Sequence, residues 1–198
     1  MDQKALFRIE YGLYLATTRE GSKDNGAILN AVIQVTNTPA RVAVTVNNQG
    51  YTKELIEKTG VLNLSPLCEK TPFSIFQKFG MQSGRDINKF EGEQAFRTEN
   101  GLYFLPVYAT AVISLRVVQS IELGTHTMFI CDVEDAMILS DDPTMTYSYY
   151  HANVKQKPPK KRGYVCRICG YVYEGDPLPA DFVCPLCGHG AEDFELMT

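Results

Sequence analysis

A chain of 198 residues, 44% hydrophobic, 21% charged, free of tryptophan and carrying −4 at pH 7 has room for one ordinary domain and a small appendage. Its apolar fraction excludes a disordered chain, and its acidity argues against nucleic acid or an anionic membrane as the main partner. The opening MDQKALFRIEYGLYLATT sets polar and acidic residues where an export signal needs an apolar run, so a cytoplasmic location is expected.

Strand patterns dominate the first 150 residues. Residues 12–16 and 27–36 are short candidates, and 41–46 alternate around Val42, Val44 and Val46. A helix is expected from Thr52 to Gly60, followed by a strand at 61–64. A second helix is expected after Thr71 as N-cap, with Pro72 in its first position and Gly80 beyond its end. The apolar stretch 102–115 contains Pro106 and falls short of the roughly 20 residues a membrane span needs. Period-two stretches at 112–123 and 127–139 complete the set. Many strands with few short helices imply a mainly β fold, a closed or nearly closed barrel with helices plugging its ends. The chain has no repeat and no glycine-rich phosphate loop, which argues against a Rossmann half or a P-loop ATPase.

Charge divides the chain into three parts. Residues 1–150 carry net −4, residues 151–163 hold five basic and no acidic residues, and residues 164–198 carry net −5. The middle part, HANVKQKPPKKRG, cannot bury a core and reads as an extended tether. At about 3.3 Å per residue it reaches about 40 Å at most.

Four of the six cysteines, Cys166, Cys169, Cys184 and Cys187, fall in the last part, which is too short to fold on apolar burial alone. Two Cys-x-x-Cys-Gly turns brought together present four thiolates at the corners of a tetrahedron, a cage for zinc or iron. Disulfides are the alternative, disfavoured in a chain without an export signal. Ligand chemistry does not separate zinc from iron. Gly170 and Gly188 let the backbone turn so that N–H groups can face sulfur, which favours the more negative, reduced site. Cys68 and Cys131 have no partner at metal spacing and read as small buried hydrophobes.

The stretches YVCRICGYVYEGDP and ADFVCPLCG resemble rubredoxin, over essentially all of 164–198. That resemblance implies one iron on the four cysteines beside a small core of Tyr164, Tyr171, Tyr173, Phe182 and Phe194. Phe182 stands where most rubredoxins have tryptophan, and the segment between the cysteine pairs is shorter. Iron held this way relays single electrons and has no open position for substrate.

An appendage that passes single electrons calls for a source, and a flavin is the usual converter from hydride donors. Residues 47–52, NNQGYT, end a strand and open a helix, a form suited to a flavin phosphate and equally to a plain capped turn. NAVIQVT at 30–36, the valine strand, 52–63, SGRD at 83–86 with Lys89 and Phe90, and GTHTMFI at 124–130 resemble, in order and spacing, the flavin reductase family with its split-barrel FMN-binding fold. The resemblance spans most of 5–152 and implies a homodimer with FMN near the subunit interface. It places Asn30, Gln34 and Thr36, with Val35 between them, beside the flavin ring. Asn47, Asn48, Tyr51 and Thr52 fall toward ribityl and phosphate, and Ser83, Arg85 and Lys89 become further phosphate partners. His126 and His151 fall near the face where nicotinamide stacks and carry the catalytic assignment. Read from the residues alone, Arg85 is as readily a solvated charge and His126 a packed polar residue.

Flavin reductase-like domain (1–150), basic linker (151–163) and rubredoxin-like domain (164–198) together resemble the high-molecular-weight rubredoxins of anaerobes. In that family NADH reduces FMN, FMN reduces the iron, and the iron reduces a flavodiiron protein that removes nitric oxide or dioxygen. The expected function is therefore electron transfer from NADH or NADPH through FMN and iron to a flavodiiron-type acceptor, with no nucleic acid or membrane involved. Two rivals stand beside it. In one, a flavin reductase releases free reduced flavin; in the other, a zinc ribbon docks the barrel to another macromolecule.

Overall fold

The computed structural model describes residues 3–155 and 163–196, which separate by their contacts into a unit ending at Lys155 and a unit beginning at Gln156. The first contains β1 (Tyr14–Glu20), β2 (Lys23–Leu29), β3 (Val32–Asn37), β4 (Ala40–Asn47), α1 (Tyr51–Thr59), β5 (Val61–Pro66), α2 (Phe73–Gly80), the short pair β6 (Phe96–Arg97) and β7 (Tyr103–Phe104), and the long β8 (Ala111–Glu122) and β9 (His126–Ile138). The main sheet has seven antiparallel strands in the order β2-β1-β5-β8-β9-β4-β3.

That order forces closure. Consecutive strands β2 and β3 lie at opposite edges of the sheet. Laid flat, seven strands would separate those edges by about 29 Å at strand spacing. The three peptide steps from Leu29 to Val32 span at most about 11 Å. The sheet therefore curls into a barrel, helped by register shifts between β8 and β9, one at Ser114/Leu115 with the extra residue in β9 and one at Val117/Gln119 with the extra residue in β8. The single strand expected over 27–36 is two, interrupted at Asn30 and Ala31, because the chain crosses from one edge to the other there.

Val42, Val44 and Val46 point into the barrel with Leu62, Leu64, Leu115, Phe129 and Cys131, and Ile56 of α1 joins them. α2 does not plug an end. Its Ile75, Phe76 and Phe79 pack on the outer side of β1, where Leu15 faces them while the adjacent Ala16 faces the barrel core. The β1–β2 hairpin escapes a hydrophobic pattern because polar Thr17, Thr18 and Asn25 are buried in it, the two threonines satisfied by bonds such as Thr18 Oγ1 to the Val61 carbonyl at 2.9 Å. Thr71 caps no helix. Its hydroxyl donates to the carbonyls of Cys68 and Tyr108, and Pro72 takes the cap position of α2. Cys68 and Cys131 are buried, 1% and 0% exposed, and burial pushes the Cys131 thiol up to about 12.

The segment expected as tether begins differently. Residues Tyr150–Val154 form a π-helical turn, anchored by the buried Tyr150 against Phe76, rather than extended chain. Residues 156–162, with both prolines, lie outside the described residues. The second unit contains β10 (Tyr164–Cys166), β11 (Val172–Tyr173) and β12 (Phe194–Leu196), in the order β11-β10-β12. Among the described residues no helix is long and apolar enough to cross a membrane.

Candidate functional site

Two tight turns build the first site. In each, the N–H of a left-handed glycine closes back on the first cysteine, Gly170 on the Cys166 carbonyl and Gly188 on that of Cys184, both at 2.9 Å, with φ of 76° and 73°. No side chain with a Cβ adopts that φ without strain. The turns bring the four sulfurs within 4.8 Å of one another. Cys166 and Cys187 lie 3.7 Å apart and Cys169 and Cys184 3.5 Å. A tetrahedral ion with bonds of about 2.3 Å sets its sulfurs about 3.8 Å apart, whereas a disulfide would need about 2 Å. All four are free thiols, so the disulfide reading fails and the cage reading fits.

The local field prepares these thiols for a cation. Burial pushes the Cys184 thiol up, but backbone N–H groups of Cys187 and Leu186 outweigh it and bring it down to about 7. The N–H groups of Tyr171 and His189, the residues after each glycine, favour the thiolates of Cys169 and Cys187, yet burial and protons shared with neighbouring sulfurs leave both raised. A bound metal displaces those shared protons. Phe182 completes the core beside the cage, 4.6 Å from Tyr173 and 5.4 Å from Phe194 between ring centres. Cys166 and Cys184 are buried while Cys169 is exposed, so one side of the cage faces solvent.

The second site is a cleft of about 380 Å³ where α1 begins, walled by the segment from Phe79 to Lys89. It gathers Asn47, Tyr51, Thr52, Ser83, Arg85 and Lys89 from the expected set. No side chain caps α1; the Lys53 amide closes on the Gly50 carbonyl at 3.0 Å, and the Tyr51 and Thr52 amides are left open to an anion. Lys89 is 3% exposed and its Nζ donates to the Gly26 carbonyl at 2.8 Å and the Phe79 carbonyl at 3.0 Å. Burial holds its pKa down to about 8. Among the described residues no carboxylate forms an ion pair with it, so the cleft contains a buried cation without a counter-charge. Arg85 lies 4.9 Å over the Tyr51 ring and pairs with Glu54 at the surface. The Ser83 hydroxyl accepts from the Arg85 backbone N–H at 3.1 Å.

Asn25 and Gly84 also line this cleft and were not legible as site residues. Asn25 sits in a Asp-Asn-Gly run that reads as turn chemistry, yet it is buried within β2. Its Nδ2 donates to Thr52 Oγ1 at 2.8 Å and its Oδ1 has no partner. An uncountered buried cation and an uncapped helix start on one wall fit a phosphate group.

A further cleft of about 640 Å³ brings Asn30 and His151 together with Tyr11, Tyr147, Leu6 and Ile9. His151 stacks edge-on against Tyr147 at 4.5 Å, and burial, then Lys155, lowers its pKa, which favours the neutral ring. The remaining expected residues line neither cleft. Asn48 is taken up by the β8–β9 hairpin, donating to the Gly124 carbonyl at 2.8 Å and accepting from Thr127 at 2.7 Å. His126 faces Asn47 in the β4–β9 register, and its Nδ1 lies 2.9 Å from the Thr125 hydroxyl. Gln34, Val35 and Thr36 are exposed on the edge strand β3, where Gln34 bonds Asn37 at 2.9 Å.

Comparison with known proteins covers both units. A flavin reductase-like domain family model matches residues 6–157, and a rubrerythrin, rubredoxin-like domain model matches residues 164–195. A high molecular weight rubredoxin from Moorella thermoacetica is 35% identical over 98% of this chain and 99% of its own length. A ferric-chelate reductase (NAD(P)H) from Archaeoglobus fulgidus is 33% identical over 81% of this chain and 95% of its own. Among solved structures, an NADH:FAD oxidoreductase from Streptomyces globisporus shares the fold with a TM-score of 0.67 at 19% identity, covering 80% of this chain and 94% of that one. The barrel is thus a flavin reductase-like fold, and the four-cysteine cage is a rubredoxin-like metal site.

Proposed function

Because the chain belongs to the high-molecular-weight rubredoxin family, a flavin reductase-like oxidoreductase domain followed by a rubredoxin-like domain, we propose that it takes electrons from NADH or NADPH through FMN to one iron and delivers them to a flavodiiron-type protein that removes nitric oxide or dioxygen. The observation that carries this reading is the presence, on one chain, of a phosphate-fitting cleft and a four-thiolate cage. FMN would supply the conversion between a hydride donor and a one-electron acceptor, and the iron the onward relay.

The chain's own residues bind, orient and exclude. Thr52, Ser83, Arg85, Lys89 and the start of α1 hold the phosphate end. Tyr11, Tyr147 and neutral His151 give the second cleft an aromatic wall on which a planar nicotinamide can lie. No general base is needed. The exposed apolar residues Ile33 and Val35 on β3, with Val118, Ile121 and Leu123 near the β8–β9 turn, support a homodimer in which Gln34 and Thr36 reach a flavin at the interface. Four free thiols suit a reducing cytoplasmic compartment.

Residues 1–150 together with the packed turn that follows act as the flavin domain, and 164–198 as the iron domain. A covalent link holds donor and acceptor at millimolar effective concentration. Visible spectroscopy under anaerobic conditions tests the route: reduced nicotinamide should bleach both the yellow and the red-brown absorption. Bleaching of the flavin with the iron still oxidised would overturn it.

A further inference from the structure

The 83–89 segment and α1 both present groups to the phosphate-fitting cleft, and one buried side chain lies between them. Asn25 is 1% exposed, in the middle of β2. Its Nδ2 donates to Thr52 Oγ1 at 2.8 Å, on the first turn of α1. On its other side a Cβ placed on Gly84 would fall 2.0 Å from Asn25 Oδ1. Gly84 is not among the glycines with a left-handed φ, so what requires glycine there is the proximity of Asn25 and not the backbone.

The hydrogen-bond arithmetic of the pair is definite. Thr52 Oγ1 has one proton to give and Asn25 has two amide ends. With the amide as placed, Asn25 donates to the hydroxyl, which leaves the Thr52 proton free for an acceptor in the cleft. With the amide turned over, the hydroxyl donates to Asn25, and both amide N–H groups become free donors toward the cleft. In either arrangement at least one donor of the pair remains, and among the described residues it has no protein acceptor. A buried polar group left without a partner is destabilising by about 1–3 kcal/mol in general, so its presence calls for an acceptor from outside the chain.

We propose that Asn25 is a positioning residue that fixes the Thr52 hydroxyl and the Gly84 turn on the phosphate of the bound flavin, and so sets the preference for FMN over unphosphorylated riboflavin. This rests on the reading that the cleft takes the flavin phosphate. Lys89 and Arg85 supply charge, whereas Asn25 supplies geometry, tying together two walls of the cleft that come from distant parts of the chain. Its place within a strand, and not on a loop, keeps that geometry rigid.

The test titrates FMN and riboflavin separately into the full-length, iron-loaded chain freed of flavin. Wild-type protein should bind FMN more tightly. Asn25→Ala should weaken FMN by about tenfold, the size expected for one hydrogen bond to a charged group, and leave riboflavin unchanged. Asn25→Asp should weaken FMN further, since a carboxylate would occupy the wall beside the phosphate. A loss shared equally by FMN and riboflavin would mean a purely structural role and overturn the proposal.

Gly84→Ala covers the case in which Asn25 variants fold poorly. Its added methyl should displace Asn25 and lower the FMN-to-riboflavin ratio, and the same change in an Asn25→Ala background should add nothing further. Retention of the ratio in every variant would overturn the role of Asn25 while the cleft assignment stands. If wild type itself does not distinguish FMN from riboflavin, the cleft assignment falls and the proposal with it.

Discussion

In the second unit Cys166 and Cys184 are 1% and 2% exposed and lie in the same cluster as Phe194, so the metal ligands are themselves the core. In the barrel Val44, Leu62, Leu115 and Phe129 are fully buried without help from Ser83, Arg85 or Tyr51, which line a cleft on its surface. One unit is held together by what it binds. The other is a finished scaffold that can lose its ligand and keep its shape. A one-electron centre that must not change geometry gains from the first arrangement, and a cleft whose ligand can come and go gains from the second.

Metal removal separates the two most sharply. A structural site of four thiolates contributes on the order of 10 kcal/mol to the folding of so small a unit. Replacing Cys184 by serine, or stripping the metal with a chelator, should unfold 163–196 and abolish electron delivery to a protein acceptor. The barrel should keep its far-ultraviolet circular dichroism, its flavin and its thermal transition. Metal analysis of the untreated protein belongs with this measurement, because iron supports the electron-relay function and zinc the docking rival.

The converse change strikes the barrel. Phe129 is fully buried among Val42, Val44 and Leu115, and Phe129→Ala should destabilise this unit by about 3–5 kcal/mol. In a calorimetric scan the barrel transition should fall while the iron absorption persists to its original temperature. If both signals moved together, the units would not be energetically separate.

These differences explain what the sequence could disclose. The four cysteines and their glycines are a local code: each turn is five residues long, and the spacing alone implies the cage that the sulfur distances bear out. The barrel's valines are likewise legible because alternation in β4 maps directly onto inside and outside. The cleft is not local. Asn25, Thr52 and Gly84 meet only because β2 runs beside α1 and the 83–89 turn folds over both, a juxtaposition set by topology and invisible to periodicity. The same limit hid the β1–β2 hairpin, whose buried threonines look like surface residues until their partners are known. Resemblance supplied an order of residues for the cleft, but Asn48 shows its limit, since that side chain is bound to the β8–β9 hairpin.

The smallest expected effect concerns the one titratable group buried in the cleft wall. The charged side chains lining the cleft are Arg85 and Lys89, and burial holds Lys89 at a pKa of about 8. A phosphate dianion favours the protonated amine, so FMN affinity should be steady between about pH 7 and 8 and fall above it, by up to about tenfold per pH unit, as binding begins to require proton uptake. Riboflavin, lacking the phosphate, should show no such slope, and Lys89→Met should remove it from FMN. Stability of the flavin-free barrel should run the opposite way. Between about 8 and the ordinary lysine pKa of about 10.4 the unfolded chain holds a proton that the folded chain has released, so this group makes the empty barrel more stable as pH rises. Opposite slopes for binding and for stability, both lost in Lys89→Met, would show that the cation is kept uncountered in the barrel for an anion that arrives from outside.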